Sequence, residues 1–183
     1  IFVEKLRKEI NARANTSFIL RLHPEERKDF YMKKYKNDPS IILSIPDNGS
    51  KAIVTGDFGS VKSVKEFISL MKFSDVVINQ ASTTTLDATL FNTPVVCTCF
   101  NFNLPENSWN AAHRWYESNH FTEIVQSGAV KIATSFENLV KHINEFLDNP
   151  DKLQSERDRL SEKMMPKLPT AQLIKESIEQ VVN

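Results

Sequence analysis

The chain has 183 residues, of which 40% are hydrophobic and 25% are charged, and these proportions are typical of a globular protein of about one domain. Lysine and arginine together number 23, as do aspartate and glutamate, so the formal net charge is zero. This balance argues against nucleic acid as a partner, and no apolar run approaches the about 20 residues that a membrane-spanning helix needs, so any membrane contact is expected to be peripheral.

The first 73 residues alternate predicted amphipathic helices with short apolar strands. The second helix is predicted to hold Glu25 and Glu26 in its first turn, where carboxylates suit the helix dipole. Because the helical pattern starts at the first residue, which is not a methionine, we expect a preceding strand or domain to lie outside this chain. In order, the elements are a helix at 2–10, a strand at 17–22, a helix through 30–35, a strand at 41–45, a loop at 46–60 with a brief strand at 52–54, and a helix through 64–71.

The clearest unit is a strand, a helix and a second strand within residues 75–100. The apolar runs 75–80 and 95–100 predict strands covered on both faces, as in parallel sheets. The hydroxyl run Ser82–Thr85 provides N-cap chemistry for the helix between them. The expected buried side of this helix consists of Leu86, Leu90 and Phe91.

The C-terminal third continues the alternation. A short strand is predicted at 129–133, and Ser135 is predicted to cap a helix that ends at Asn149-Pro150. A charged segment, 151–163, precedes a last helix through 173–181. Helices alternating with apolar strands predict an α/β fold with a doubly wound, Rossmann-like parallel sheet.

Cys97 and Cys99 are the two cysteines of the chain. They lie two residues apart on a predicted strand, where they cannot readily form a disulfide with each other, and they lack the companions of a metal site. We therefore predict buried free thiols in a reducing compartment, no bound metal and a cytoplasmic location.

Ligands of open parallel sheets bind at the carboxyl ends of strands, so residues that directly follow strands are candidate site residues. The first such group contains Arg21 and His23. With two-residue spacing on one side of a strand, they can provide cationic or hydrogen-bonding partners for a diphosphate. The alternative is that His23 before Pro24 simply terminates the strand.

The second group is the hydroxyl run Ser82, Thr83 and Thr84. If Ser82 caps the helix, the free amides of Thr83–Thr85 and the helix dipole favour a phosphate. The alternative is a helix cap followed by incidental threonines. No GxGxxG or Walker sequence occurs, so dinucleotide binding and P-loop chemistry lack their usual support.

Three further residues are candidates for binding a ribose or a sugar. Asp87 lies about one turn into the helix, where its carboxylate can accept hydrogen bonds from hydroxyls, and Gln80 ends the preceding strand. Arg114, with His113, belongs to the aromatic segment 101–120, which also contains Trp109, Trp115 and Tyr116. This segment can wall the site, and the alternative is a surface helix that packs its aromatic side chains on the core.

The strand 74–79, the run 82–88 and the return 92–96 resemble the donor-binding domain of GT-B-type glycosyltransferases. The likeness is greatest to the CDP-glycerol glycerophosphotransferase and bacterial capsule or sialic acid transferase group, and it spans most of the chain. In that group, a His-Pro pair and a Ser/Thr pair bind the phosphates of the nucleotide donor. The matching positions here are His23-Pro24 and Ser82-Thr83.

The resemblance implies that residues 1–183 form the nucleotide-donor half of a GT-B transferase whose N-terminal acceptor domain lies outside this chain. Its substrate would be a sugar or polyol phosphate activated by CMP, CDP or UDP, with no further cofactor, for transfer to an acceptor hydroxyl in surface polysaccharide or glycan synthesis. The general base would come from the other domain, and the location would be the cytoplasm or the inner face of the membrane. Two alternatives stay open: half of a UDP-N-acetylglucosamine 2-epimerase-like enzyme, and a non-enzymatic α/β binding module.

Overall fold

A computed structural model describes residues 2–10, 16–47, 60–102, 104–105, 108–109, 111–165 and 169–182. The chain divides into two compact units, Ile1–Phe73 and Ser74–Asn183. Each unit contains parallel strands connected by helices, which confirms the predicted α/β class. Within the described ranges, no helix has both the length and the apolar character needed to cross a bilayer.

The first unit is built around a two-stranded parallel sheet. Its elements are α1 (Phe2–Ile10), β1 (Phe18–Arg21), α2 (Lys28–Tyr35), β2 (Ile41–Ser44) and α3 (Val61–Phe73). In the sheet, Ile19 is paired with Ile42. Helix α1 buries Leu6 and Ile10, as its helical spacing predicts. The predicted strand at 52–54 lies outside the described residues.

The prediction that Glu25 and Glu26 begin the second helix is wrong, because α2 starts at Lys28. The backbone N–H of Glu26 donates to the carbonyl oxygen of His23 at 2.9 Å, which closes a turn around Pro24. The residues between β1 and α2 therefore include a turn, and the helix begins after it.

The second unit contains a three-stranded parallel sheet in the order β3-β4-β5. Its strands are β3 (Val77–Asn79), β4 (Val95–Thr98) and β5 (Lys131–Ala133), and its helices are α4 (Thr84–Leu90), α5 (His113–Tyr116), α6 (Asn119–Ser127), α7 (Phe136–Asp148), α8 (Gln154–Met164) and α9 (Thr170–Val182). The middle strand is fully buried at Val95, Val96 and Cys97. Helix α7 packs on β4 and β5, while α8 packs on α4 and α6.

Helix α7 begins and ends where the sequence predicts. The hydroxyl of Ser135 accepts a hydrogen bond from the backbone N–H of Asn138 at 3.1 Å, which is the expected cap. The helix ends at Asp148, directly before Asn149-Pro150. Its buried face consists of Phe136, Leu139, Ile143 and Phe146.

The buried face predicted for α4 is wrong. The helix buries Thr85, Ala88 and Thr89, whereas Leu90 is 42% exposed and Phe91, just beyond the helix, is 39% exposed. Small side chains allow α4 to approach α8 closely, and the hydroxyl of Ser161 on α8 donates to the carbonyl oxygen of Thr89 at 2.9 Å. In this two-turn helix, tertiary packing therefore decides which face is buried.

The charged segment 151–163 largely forms α8, and its Arg157 is 1% exposed. The guanidinium donates to the side-chain oxygen of Asn92 at 2.6 Å and to the carbonyl oxygens of Lys152 at 2.7 Å and Pro150 at 3.0 Å. Among the described residues it has no carboxylate within ion-pair distance. Arg157 thus joins α8 to the turn before it and to the turn after α4.

Neither cysteine forms a disulfide, as predicted, but only Cys97 is fully buried. Burial raises the pKa of the Cys97 thiol to about 12, which keeps it protonated. Cys99, one residue beyond β4, is only partly buried.

Candidate functional site

The segment that links β3 to α4 has an irregular backbone. Gln80 is exposed, and Ala81 has a φ of +39°, a left-handed conformation that is uncommon for a residue other than glycine. Ser82 accepts hydrogen bonds from two backbone amides. Its hydroxyl accepts from the amide of Thr84 at 3.3 Å, and its carbonyl oxygen accepts from the amide of Thr85 at 2.9 Å. The prediction that the amides of Thr84 and Thr85 are free is therefore wrong.

The amide of Thr83 differs from those of its two successors, because it donates to no partner within the described part of the chain. Thr83 occupies the cap position with helical backbone angles, and its side chain makes no capping bond. The predicted cap, Ser82, lies one residue earlier, although its hydroxyl does bond to the amide of Thr84. Thr83 thus presents both an amide and an exposed hydroxyl.

The four adjacent hydroxyls have different roles. Those of Ser82 and Thr84 are half-buried and lie 2.5 Å apart. The hydroxyl of Thr85 is buried and bonds to the side chain of Asn79 at 3.0 Å. Ser82, Thr83 and Thr84 therefore remain candidates for ligand contact, whereas Thr85 holds the helix to the strand.

A polar cluster beneath the turn connects β3 with β4. The thiol of Cys97 is 3.5 Å from the side-chain oxygen of Asn79, and the hydroxyl of Thr98 donates to the carbonyl oxygen of Asn79 at 3.3 Å. With the bond to Thr85, these contacts satisfy Asn79 through both its side chain and its backbone. Hydrogen bonds that join Asn79 to α4 and β4 therefore fix the strand end from which the turn begins.

Tyr116, the last residue of α5, also contacts the segment that links β3 to α4. Its hydroxyl accepts the amide of Ala81 at 3.2 Å and donates to the carbonyl oxygen of Thr98 at 2.7 Å. Its ring packs edge-to-face on the buried ring of Phe121, with 5.3 Å between centroids. The sequence shows only an aromatic residue in a polar segment, so it gives no signal for this contact.

Arg114, on the same short helix, is exposed, and its guanidinium carbon lies 4.9 Å from the ring centroid of Trp109. Trp109 is itself 81% exposed. This stacked pair is therefore accessible to a ligand.

Asp87 is half-buried on α4, and within the described residues its carboxyl has no hydrogen-bond or ion-pair partner. Burial raises the pKa of this carboxyl above its usual range. Ionised Asp87 thus carries a desolvation cost that no hydrogen bond or ion pair from the described residues offsets.

We expect Asp87→Asn to increase the free energy of unfolding slightly at neutral pH. A raised pKa in the folded state means that the contribution of Asp87 to stability is present below its unfolded-state pKa and is lost as the pH rises through the folded-state value. The stability gained by Asp87→Asn should therefore shrink as the pH falls towards 3.8, the ordinary pKa of an aspartate. Urea unfolding across this range measures it, and a loss of stability at neutral pH would contradict the assignment.

Arg21 and His23 belong to the first unit. The guanidinium of Arg21 donates to the hydroxyl of Ser44 at 2.7 Å and lies 3.6 Å from the carboxylate of Glu66. His23 is exposed, and its Nδ1 accepts the amide of Glu25 at 3.3 Å. Arg21 is thus held by internal partners, whereas His23 is open to solvent.

The structure brings most of the predicted site residues into one strand–turn–helix segment. This segment contains Gln80, Ser82, Thr83, Thr84 and Asp87, and the helix of Arg114 is bonded to it through Tyr116. In the described ranges, no group of three or more histidine, cysteine or acidic side chains is arranged to hold a metal ion. Compared with protein-family models, curated proteins and solved structures, the chain matches none of them.

Proposed function

We propose that this chain binds the nucleotide part of an activated sugar or polyol-phosphate donor, as the doubly wound, Rossmann-like donor half of a GT-B-type transferase. The observation that carries the proposal is the polar turn 80–84, which follows a parallel strand at the sheet edge where such folds bind ligands. The sequence resemblance supplies the class of ligand.

The turn offers hydrogen-bond donors that suit a phosphate. Thr83 contributes its exposed hydroxyl and its amide, which has no partner among the described residues, and Ser82 adds a half-buried hydroxyl. Because the amides of Thr84 and Thr85 are already bonded, we assign the phosphate contact to Thr83 and to the hydroxyl pair of Ser82 and Thr84. These two hydroxyls bond to each other, so one of the pair donates to its neighbour and the other can donate to the phosphate.

The charges near the turn suit a nucleotide sugar. Asp87 is an acceptor without a partner in the described ranges, which a ribose or sugar hydroxyl would satisfy, and Gln80 is assigned to the same hydroxyl groups. Arg114 provides an accessible cation. Within the first unit taken by itself, His23 is a better candidate for a diphosphate contact than Arg21, because the guanidinium of Arg21 lies 3.6 Å from the carboxylate of Glu66.

In the proposed reaction this half binds the leaving nucleotide and stabilises the charge that develops on it. The acceptor and the general base are assigned to the other half of the enzyme. We therefore expect the chain alone to bind a nucleotide without transferring its sugar.

Thr83→Ala should weaken nucleotide binding by roughly 0.5–3 kcal/mol, a range that spans ordinary hydrogen bonds and hydrogen bonds to charged groups. The free energy of unfolding should change little, because the Thr83 side chain is exposed and makes no capping bond. Calorimetric titration with CMP, CDP, UDP and UDP-N-acetylglucosamine measures the affinity and identifies the preferred nucleotide.

The matched control is Thr122→Ala, which removes a hydroxyl that donates to the carbonyl oxygen of Ser118 at the start of α6. Unchanged nucleotide affinity is expected for this variant. Equal affinities of wild type and Thr83→Ala would remove the Thr83 hydroxyl from the binding site, and binding of UDP-N-acetylglucosamine alone would favour the epimerase alternative.

A further inference from the structure

The hydroxyl of Tyr116 joins the candidate turn to two other segments of the second unit. It accepts the amide of Ala81 at 3.2 Å and donates to the carbonyl oxygen of Thr98, at the end of β4, at 2.7 Å. Both polar functions of the hydroxyl are therefore used. The amide belongs to the segment that follows β3, and the carbonyl belongs to the last residue of β4.

The backbone at Ala81 requires a restraint of this kind. Its φ of +39° lies in the left-handed region, which is costly for a residue with a Cβ and persists only when the surroundings impose it. Within the described residues, Tyr116 is the acceptor of the Ala81 amide. Because Ala81 directly precedes Ser82, this conformation sets the direction in which Ser82 and Thr83 leave the strand.

We propose that Tyr116 is a positioning residue for the nucleotide site, holding Ala81 in its left-handed conformation so that Ser82 and Thr83 face the phosphate. The identity of the ligand rests on the proposed function, whereas the restraint on Ala81 rests on the contacts of Tyr116 alone. Tyr116 also ends the four-residue helix that carries Arg114, so one hydroxyl fixes both the turn and the helix of the accessible cation.

The packing of Tyr116 suits this role. Its ring lies edge-to-face on Phe121, which is fully buried, so the hydroxyl has a fixed place relative to the sheet. Burial raises the pKa of the Tyr116 hydroxyl, which keeps the proton that is donated to Thr98.

The test compares Tyr116→Phe with wild type in the full chain, using CMP and UDP as probes. We expect the variant to bind the preferred nucleotide roughly three- to tenfold more weakly, the effect of losing one or two neutral hydrogen bonds that preorganise the turn. Amide exchange followed by NMR should show faster exchange at Ala81.

Tyr35→Phe is the matched control. The hydroxyl of Tyr35 is bonded to the carboxylate of Glu4 at 3.1 Å within the first unit, so its removal also costs a tyrosine hydrogen bond. Unchanged nucleotide affinity and unchanged Ala81 exchange are expected. Equal losses of affinity in the two tyrosine variants would mean that Tyr116 acts only through general stability.

Ala81→Gly tests whether Tyr116 acts by restraining the backbone at position 81, because a tyrosine that only stabilises the fold would not depend on the residue there. Glycine adopts a positive φ without the steric cost of a Cβ, so the turn no longer depends on the restraint. We expect Tyr116→Phe to change nucleotide affinity by less than about twofold when glycine occupies position 81.

Two results would overturn the positioning role: slow Ala81 exchange retained in Tyr116→Phe, or an equal loss of affinity whether alanine or glycine occupies position 81. If wild type binds neither nucleotide, the proposed function fails. The Ala81 exchange rates would still decide whether Tyr116 holds the turn, because that measurement requires no ligand.

Discussion

Replacing Arg157 with alanine should lower the free energy of unfolding of the second unit by about 3–5 kcal/mol. The substitution removes the donor of three hydrogen bonds to partly buried oxygens and opens a cavity at a side chain that is 1% exposed. One of these oxygens belongs to Asn92, whose φ of +58° also needs support. Urea unfolding followed by circular dichroism measures the loss.

Arg159→Ala is the control on the same helix. Arg159 has a side chain that is 68% exposed and pairs with Glu156 at 3.2 Å, so its replacement should cost at most about 1 kcal/mol. If the Arg157 variant loses no more stability than the Arg159 variant, the buried guanidinium is not a structural link between α8 and the turn after α4.

Phe121→Ala should also destabilise the second unit, by about 3–5 kcal/mol, because it empties a fully buried aromatic position. It additionally removes the ring against which Tyr116 packs. We therefore expect Ala81 amide exchange to accelerate in the fraction that stays folded.

Phe73→Ala is the corresponding control, since this ring is 75% exposed. Its effect on the unfolding free energy should stay within about 0.5 kcal/mol, as for surface substitutions in general. A loss at Phe121 as small as that at Phe73 would mean that the core beneath α5 is placed incorrectly.

Elements whose signals are local could be predicted from the sequence. The apolar strand at Val95 and Val96 is bounded by Pro94 and is fully buried, and Ser135 caps α7 as its pattern indicates. The position of the polar turn after β3 was also predictable, because an apolar run gives way there to four consecutive hydroxyl residues.

The features that could not be predicted from the sequence depend on contacts between residues that are distant in the chain. Periodicity in α4 points to Leu90, but the helix turns Thr85 and Thr89 inward. There Asn79 of β3 bonds to the hydroxyl of Thr85, and Ser161 of α8 bonds to the carbonyl oxygen of Thr89. Arg157 is one charge among many in its segment, and only the neighbouring turns make it a core residue. The role of Tyr116 likewise arises from an amide 35 residues away in the chain.

The proposed nucleotide site is tested most directly by a crystal structure of the chain soaked with CMP or UDP. The expected result is phosphate density within hydrogen-bond distance of the Thr83 amide and of the hydroxyls of Ser82 and Thr83, with Asp87 on the side of the ribose or sugar. Nucleotide density elsewhere, with this turn empty, would contradict it.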